Sequence, residues 1–191
     1  MPDINELRQT YRELADGRLL QIAVHEAGDL VPAAVQVLHE ELGRRGLAES
    51  LGVAVAAQTR QWTSQEVETL LSRIQRLPCP ICGTTGQVLN AFKVVTVTSF
   101  VIGSKRKEQL ILGCPACIER AAKAATSLSL VAGWWSFPRG VVDTMSACIA
   151  NGRARKARET TEPTKEFIDY VLHNQGEVAL LLKSGSAPAP H

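Results

Sequence analysis

The sequence predicts an α+β chain: a helical N-terminal domain, a zinc β-ribbon and a C-terminal helical hairpin. Three observations predict it. Helical periodicity runs without a strand signal through residues 1–77. A β-branched stretch, Val94-Val95-Thr96-Val97-Thr98, lies between two C-P-x-C steps, Cys79-Pro80-Ile81-Cys82 and Cys114-Pro115-Ala116-Cys117. Beyond them an Ala-rich helical pattern is broken once, at Gly133-Trp134-Trp135-Ser136-Phe137-Pro138-Arg139-Gly140, and then resumes.

The N-terminal domain, 1–77, is read element by element. A short helix near 4–14 precedes Asp16, a good N-cap, after which Leu19, Leu20, Ala23 and Val24 share one face. Asp29 is expected to cap a third helix with Pro32 in its first turn. There Val31, Val35, Leu38 and Leu42 recur at helical spacing, and Gly46 ends it. Residues 48–60 are Ala/Val-rich and ambiguous. Thr63-Ser64-Gln65-Glu66 is a capping box, followed by the stripe Val67, Leu70, Leu71, Ile74 and Leu77, and Pro78 stops that helix.

The ribbon spans 78–118. One strand runs through Val94–Ile102, Gly103-Ser104-Lys105-Arg106-Lys107 is the expected turn, and Gln109-Leu110-Ile111-Leu112 returns. A hairpin of this kind brings both C-x-x-C steps to one end. Four thiols then match the donor count of a closed, structural tetrahedral site. Cys79, Cys82, Cys114 and Cys117 are the expected ligands of one zinc ion. Iron in a four-sulfur cage and thiol redox pairs stay open as alternatives. Gly83 follows the first knuckle, but Ile118 follows the second, which is expected to run directly into a helix.

A helical hairpin, 119–152, turns at the Trp-rich segment, which holds three of the chain's nine aromatics in four positions. A basic segment and an amphipathic helix, 153–183, follow: Arg153, Arg155, Lys156 and Arg158, then Thr161-Glu162-Pro163 opening a helix with Phe167, Ile168, Val171 and Leu172 apolar. Residues 184–191 are a low-complexity tail, expected to be disordered.

Charge and chemistry narrow the function. Net charge is +2, with 8 Lys/Arg against 11 Asp/Glu in residues 1–78 and 13 against 8 in 79–191, so anionic partners belong to the second half. The N-terminus is acidic and lacks an apolar run, and unoxidised C-x-x-C pairs suit a reducing compartment; a cytoplasmic protein, with the inner membrane face as an alternative location, is the expectation. No catalytic constellation emerges. His25, His39 and His173 are scattered on helices, His25-Glu26 lacks the second His of H-E-x-x-H, Cys148 stands alone, and no phosphate-binding glycine loop is present. The chain is therefore expected to be no enzyme but a zinc-stabilised protein-interaction or assembly protein. Nucleic-acid binding and a thiol redox switch are the alternatives. Base stacking would need ring platforms, and Phe92 and Phe100 are the ribbon's only aromatics.

Trp134, Trp135 and Phe137, with Arg153, Arg155, Lys156 and Arg158, form a candidate interaction surface for protein or for an anionic membrane. Arg139 and Asp143 are costly in lipid, so the expectation is a soluble arrangement in which at least one Trp is buried with its indole N–H bonded.

Residues 78–152 resemble a group of uncharacterised bacterial zinc-ribbon proteins, many of them membrane-associated. In that group a C-P-x-C…C-P-x-C ribbon precedes a hydrophobic helical pair centred on G-W-W-x-x-P-x-G and then T-x-x-x-x-x-x-N, matched here by Gly133–Gly140, Thr144 and Asn151. Tyr11–Leu20 and Glu41–Leu47 are similar to a short bacterial helical module found near such segments. The resemblance implies a zinc ribbon and a helical pair, and no activity.

Overall fold

The computed structural model describes residues 4–100, 103–135 and 139–184, without the side chains of 100, 103, 139, 157 and 158. The chain divides into two compact units, Met1–Thr69 with Val171–Pro188 and Leu70–Tyr170. The segment 153–183 is thus shared between them. Helices and one two-stranded antiparallel sheet make a mixed α+β chain.

The first unit holds α1 (Ile4–Glu13), α2 (Asp16–Gln21), α3 (Pro32–Arg44) and α4 (Ala48–Thr59). It also holds the first turns of α5 (Ser64–Gln75), the end of α8 (Lys165–His173) and α9 (Gln175–Ser184). Its core gathers Tyr11, Leu19, Ile22, Val37, Leu38, Leu42, Leu51 and Val55. The ambiguous stretch 48–60 is helical. It packs on α3, on α9 and on the π-helical turn Ile22–Glu26, so apolar residues are needed on several faces and no single stripe marks it. Gly46, at φ 71°, closes α3, and the Leu47 amide bonds the Leu42 carbonyl at 2.8 Å across it. The Thr63 capping box forms: Glu66 Oε2 accepts from the Thr63 amide at 2.9 Å and Thr63 Oγ1 accepts from the Glu66 amide at 3.4 Å.

Three expectations here are corrected. Asp16 caps nothing. It is the first residue of α2, and Arg45 Nη1 takes its carboxylate at 2.6 Å. Leu20 points out while Leu19, Ile22 and Ala23 fill the core. Asp29 ends a 3₁₀ turn, and Val31 stands at the N-cap of α3. Pro32 follows at the first position, where its missing N–H costs nothing. Arg45 is the tie among these helices. It donates to the carbonyls of Tyr11, Arg12 and Leu14 at the end of α1 and to Glu41 Oε1 at 2.5 Å, and Arg44 holds the same carboxylate. Buried Glu41 is pulled down to about 2 by its hydrogen bond from Arg44, with Arg45 adding to the effect.

The second unit is built on β1 (Asn90–Phe100) and β2 (Gly103–Gly113), paired from Asn90↔Gly113 to Phe100↔Gly103. Gly103–Lys107 is therefore strand, not turn. The polar residues of β2 lie on an edge strand with one side in water, so their composition does not break the ladder. Residues 101–102 lie outside the described residues. α6 (Pro115–Ala132) leaves the second knuckle at once, with Cys114 as its N-cap residue. α7 (Arg139–Arg155) returns along β1. Thr164, rather than Thr161-Glu162-Pro163, caps α8; its hydroxyl accepts from the Phe167 amide at 3.3 Å, and the Glu162 backbone carbonyl accepts from Asn90 Nδ2.

Among the described residues no strand lies beside the outer edge of β1, and helix side chains complete it. Asn151 of α7 accepts from the Val95 amide and donates to the Val95 carbonyl, both at 2.8 Å. Ser129 of α6 accepts from the Val97 amide at 3.0 Å, and Ser99 Oγ donates to the Gly133 carbonyl at 2.6 Å. Backbone groups that would otherwise sit buried or invite another strand are satisfied within the unit. Such closeness demands small residues. A Cβ on Gly133 would lie 2.4 Å from the Ser129 carbonyl oxygen, and one on Gly140 2.6 Å from that of Gly133.

Candidate metal centre and the helical pair above it

The first knuckle follows α5. α5 stops at Gln75, three residues before Pro78, and the Leu89 amide bonds the Gln75 carbonyl at 2.9 Å, so the knuckle leaves and re-enters the fold at one place. Inside it the Gly83 amide bonds the Cys79 carbonyl at 2.8 Å and the Cys79 amide the Thr84 carbonyl at 2.9 Å, with Gly83 at φ 71°. A left-handed turn is cheap only for glycine. The second knuckle needs no such turn, because the Cys117 and Ile118 amides bond the Cys114 carbonyl as the opening of α6.

The register Asn90↔Gly113 draws the knuckles together, and the four sulfurs of Cys79, Cys82, Cys114 and Cys117 lie within 4.8 Å of one another. Cys82 and Cys114 Sγ are 3.7 Å apart. A tetrahedron with metal–sulfur bonds of about 2.3 Å has edges of about 3.8 Å, so this pair stands at the separation a shared metal requires. All four cysteines are free thiols. The Cys114 amide donates to Cys79 Sγ at 3.2 Å. The Thr84 hydroxyl and amide hold the Cys82 thiol down to about 6, whereas burial pushes Cys114 and Cys117 up. Thiols clustered this closely resist joint ionisation without a cation, and a bound cation removes that conflict. Cys79, Cys114, Cys117 and Leu89 are buried together and only Cys82 is exposed. The set can hold a metal ion with four donors. Two contributors escaped the sequence reading: Thr84, and Gly113, where a Cβ would press to 3.1 Å on Ile81 and 3.6 Å on Cys79 Sγ. Glycine just before a ligating cysteine is the signal for the latter.

The remaining candidates fall elsewhere in the unit. Trp134 and Trp135 are 45% and 71% exposed, so neither is buried; the expectation of a buried indole is overturned. The inner face of α7 carries Gly140, Thr144, Ala147, Asn151 and Ala154, small residues that seat the helix on β1 and leave no room for rings. Trp135 Nε1 donates to the Val131 carbonyl at 3.2 Å while its ring faces water. Asp143 is half-buried and takes a hydrogen bond from Ser104. Arg153 and Arg155 are exposed on the last turn of α7, and Lys156 is exposed on the 3₁₀ turn after it. Phe137 and the Arg158 side chain lie outside the described residues. Phe92 packs against the Val94–Ile118 core cluster, so no described ring of the ribbon is free for stacking. Among the described residues no helix is long and apolar enough to cross a membrane.

The sequence reading missed the outward face of the helical pair. Leu128 and Val131 on α6, Trp135 just beyond its end, and Val142, Met145 and Ile149 on α7 are all exposed. Their 3–4-residue spacing was visible, but the Thr144 and Asn151 stripe beside it reads as the wet face and is in fact the buried one. No protein-family model, curated protein or solved structure matches the chain significantly.

Proposed function

We propose that this chain is a non-catalytic, zinc-stapled interaction protein whose α6–α7 pair is its docking element. The carrying observation is the inversion of α7. Its polar side chain Asn151 is fully buried against β1, while Val142, Met145 and Ile149 are 65%, 58% and 62% exposed. A helix that spends its polar residues inward and its apolar ones outward is suited to an apolar partner. Cys79, Cys82, Cys114 and Cys117 would hold the zinc, which supplies folding energy and no open coordination position. Zinc is favoured over iron by its prevalence in closed four-cysteine ribbons of reducing compartments. The closed donor set and the absence of any nucleophile–base pair in the motifs support a non-catalytic role.

The test places a photo-crosslinking residue at Met145 and, as control, at Glu68, in living cells, followed by separation of soluble and membrane fractions. Discrete adducts, protein or lipid, at Met145 alone support the reading. Adducts at neither position, or equally at both, overturn it.

A further inference from the structure

The two edges of the β1–β2 hairpin are finished differently. In an antiparallel pair, facing residues alternate between those that exchange both backbone hydrogen bonds and those that turn both groups away from each other. On β1 the second kind is identified by its outside partners. The Val95 amide and carbonyl go to Asn151, and the Val97 amide goes to Ser129. The Ala91 amide goes to Asn90 Oδ1, and the Ala91 carbonyl accepts from Thr164 Oγ1. Their register partners on β2 are Glu108, Arg106 and Leu112, which therefore also turn their amides and carbonyls away from β1. The same alternation adds Ser104 and Leu110. Among the described residues nothing pairs with the amides and carbonyls of these five, and residues 105–110 are exposed. β2 thus carries an open ladder, about 27 Å long at about 3.4 Å per residue, where that of β1 is closed.

The charges beside this ladder are not balanced. Arg106 and Glu108 share one face of the strand and pair with each other at 2.9 Å, and Arg106 also donates to Ser146 Oγ. Lys105 and Lys107 lie on the opposite face, across from Thr98 and Thr96, and no ion pair reaches either among the described residues. A second copy of this chain is a poor occupant. Two-fold pairing of the whole edge centres on Glu108 and sets that acid against its own copy. It also puts Lys105 and Lys107 opposite Ile111 and Gln109, which neutralise nothing. Residues 185–191 of this chain carry no acid and two prolines, which lack the amide a ladder needs.

We propose that the free edge of β2 binds an extended acidic peptide segment as a third strand, its backbone on the open ladder and its carboxylates beside Lys105 and Lys107. Two requirements select this occupant. The ladder takes a chain that offers both amides and carbonyls at alternate residues, which nucleic acid and lipid do not. The lysines, two residues apart on one face, take carboxylates at the same spacing, because neighbouring strands share a period of two. Lysines on an edge repel strands of like charge, so the same side chains that deter self-pairing select an acidic partner. The site belongs to β2 and goes beyond the docking face on α6–α7.

The test titrates the whole chain with an acetylated, amidated peptide of about nine residues, the length of the edge, that alternates glutamate with threonine and valine. Residue-level amide exchange and peptide affinity are read together. In the free protein the Arg106, Glu108 and Leu110 amides are expected to exchange at least about tenfold faster than those of Lys107, Gln109 and Ile111, which face β1. The peptide is expected to slow the first three about tenfold, and its lysine counterpart to leave them unchanged. K105Q/K107Q is expected to weaken binding about fivefold, and added salt to weaken it further in the wild type. Glu108 separates a ladder from simple charge attraction. E108Q removes an acid and is expected to bind about twofold tighter, whereas E108P also removes an outward amide and is expected to lose more than about tenfold. Proline is tolerated on an edge strand where its N–H would face water, and metal stoichiometry with circular dichroism checks the fold. If E108P fails to fold, K105Q/K107Q and the exchange pattern decide. Absence of peptide binding, binding without protection of the three amides, or binding untouched by K105Q/K107Q overturns the proposal. Protection that grows with protein concentration in the absence of peptide assigns the edge to a second copy and overturns it. Tighter binding of an oligothymidylate of similar length assigns the lysines to nucleic acid and also overturns it. Adducts at Met145 report on α7 alone, so the docking reading stands or falls separately.

Discussion

Asn151→Leu isolates the contact on which the helical pair depends. Leucine shares asparagine's branching at Cγ and favours a helix; its methyls are bulkier than the amide, so a modest overpacking cost adds to the lost hydrogen bonds. What it removes is specific: the acceptor for the Val95 amide and the donor to the Val95 carbonyl, each at 2.8 Å, from a residue with no exposed surface. No other described group replaces them. Leaving a buried polar group unsatisfied costs about 1–3 kcal/mol, so two such groups predict a loss of about 2–6 kcal/mol. Thr144→Val, two helical turns away on the same face, is the paired control. Thr144 Oγ1 is buried without a partner among the described residues, so its removal is expected to leave stability unchanged or raise it by about 1 kcal/mol. Urea unfolding followed by far-UV circular dichroism, with a second probe on released metal, measures both. If Asn151→Leu costs no more than Thr144→Val, then Asn151 is not the edge partner of β1 and the account of why α7 buries its polar stripe fails.

Further outcomes follow from individual contacts. Cys79→Ser is expected to lower bound zinc below one per chain by elemental analysis and to loosen β1–β2, read as faster amide exchange across the Asn90–Gly113 end. Gly133→Ala is expected to destabilise the second unit, because its Cβ would stand 2.4 Å from a backbone oxygen, while Gly152→Ala, which meets nothing within 4 Å, is expected to stabilise α7 by up to about 1 kcal/mol; thermal melts compare them. Glu41 has its pKa depressed to about 2, so its contribution is fully present above the ordinary carboxylate range near 4.5 and is lost as pH falls towards 2. Discounted for solvent screening, that contribution is about 1–3 kcal/mol, and Glu41→Gln should flatten the acid limb of stability against pH by that amount.

The local signals that proved legible were those in which a few adjacent residues settle the geometry. The Thr63–Glu66 box needs only its own two side chains and amides. Gly46 needs only a left-handed φ. The cysteine steps needed a hairpin between them, and the β-branched run supplied one. Misreadings arose where a side chain had a partner distant in sequence. Asp16 looked like a cap because local rules see only its own amides, yet Arg45, 29 residues away, claims its carboxylate. Lys105 to Lys107 looked like a turn because charge suggests a loop, yet register with Thr96 to Thr98 makes them strand.

The same physics explains why the candidate surface was harder to read than the candidate metal centre. A metal cage is declared by its donors, since cysteine pairs at fixed spacing have few other uses. A helix face is declared only by contrast with its opposite face, and the usual contrast assumes that polar means outward. On α7 that assumption fails for a definite cause. The outer edge of β1 offers an unpaired amide and carbonyl at Val95, and the neighbour that satisfies both must bring a donor and an acceptor on one side chain. Asparagine does so, and only if glycine, alanine and threonine around it let the helix approach. Once the polar stripe is committed to the strand, Val142, Met145 and Ile149 have no interior left to enter. The outward apolar face is thus a consequence of how the sheet edge is closed, and any partner that covers it reads a surface that the hairpin's own hydrogen bonding has forced into the open.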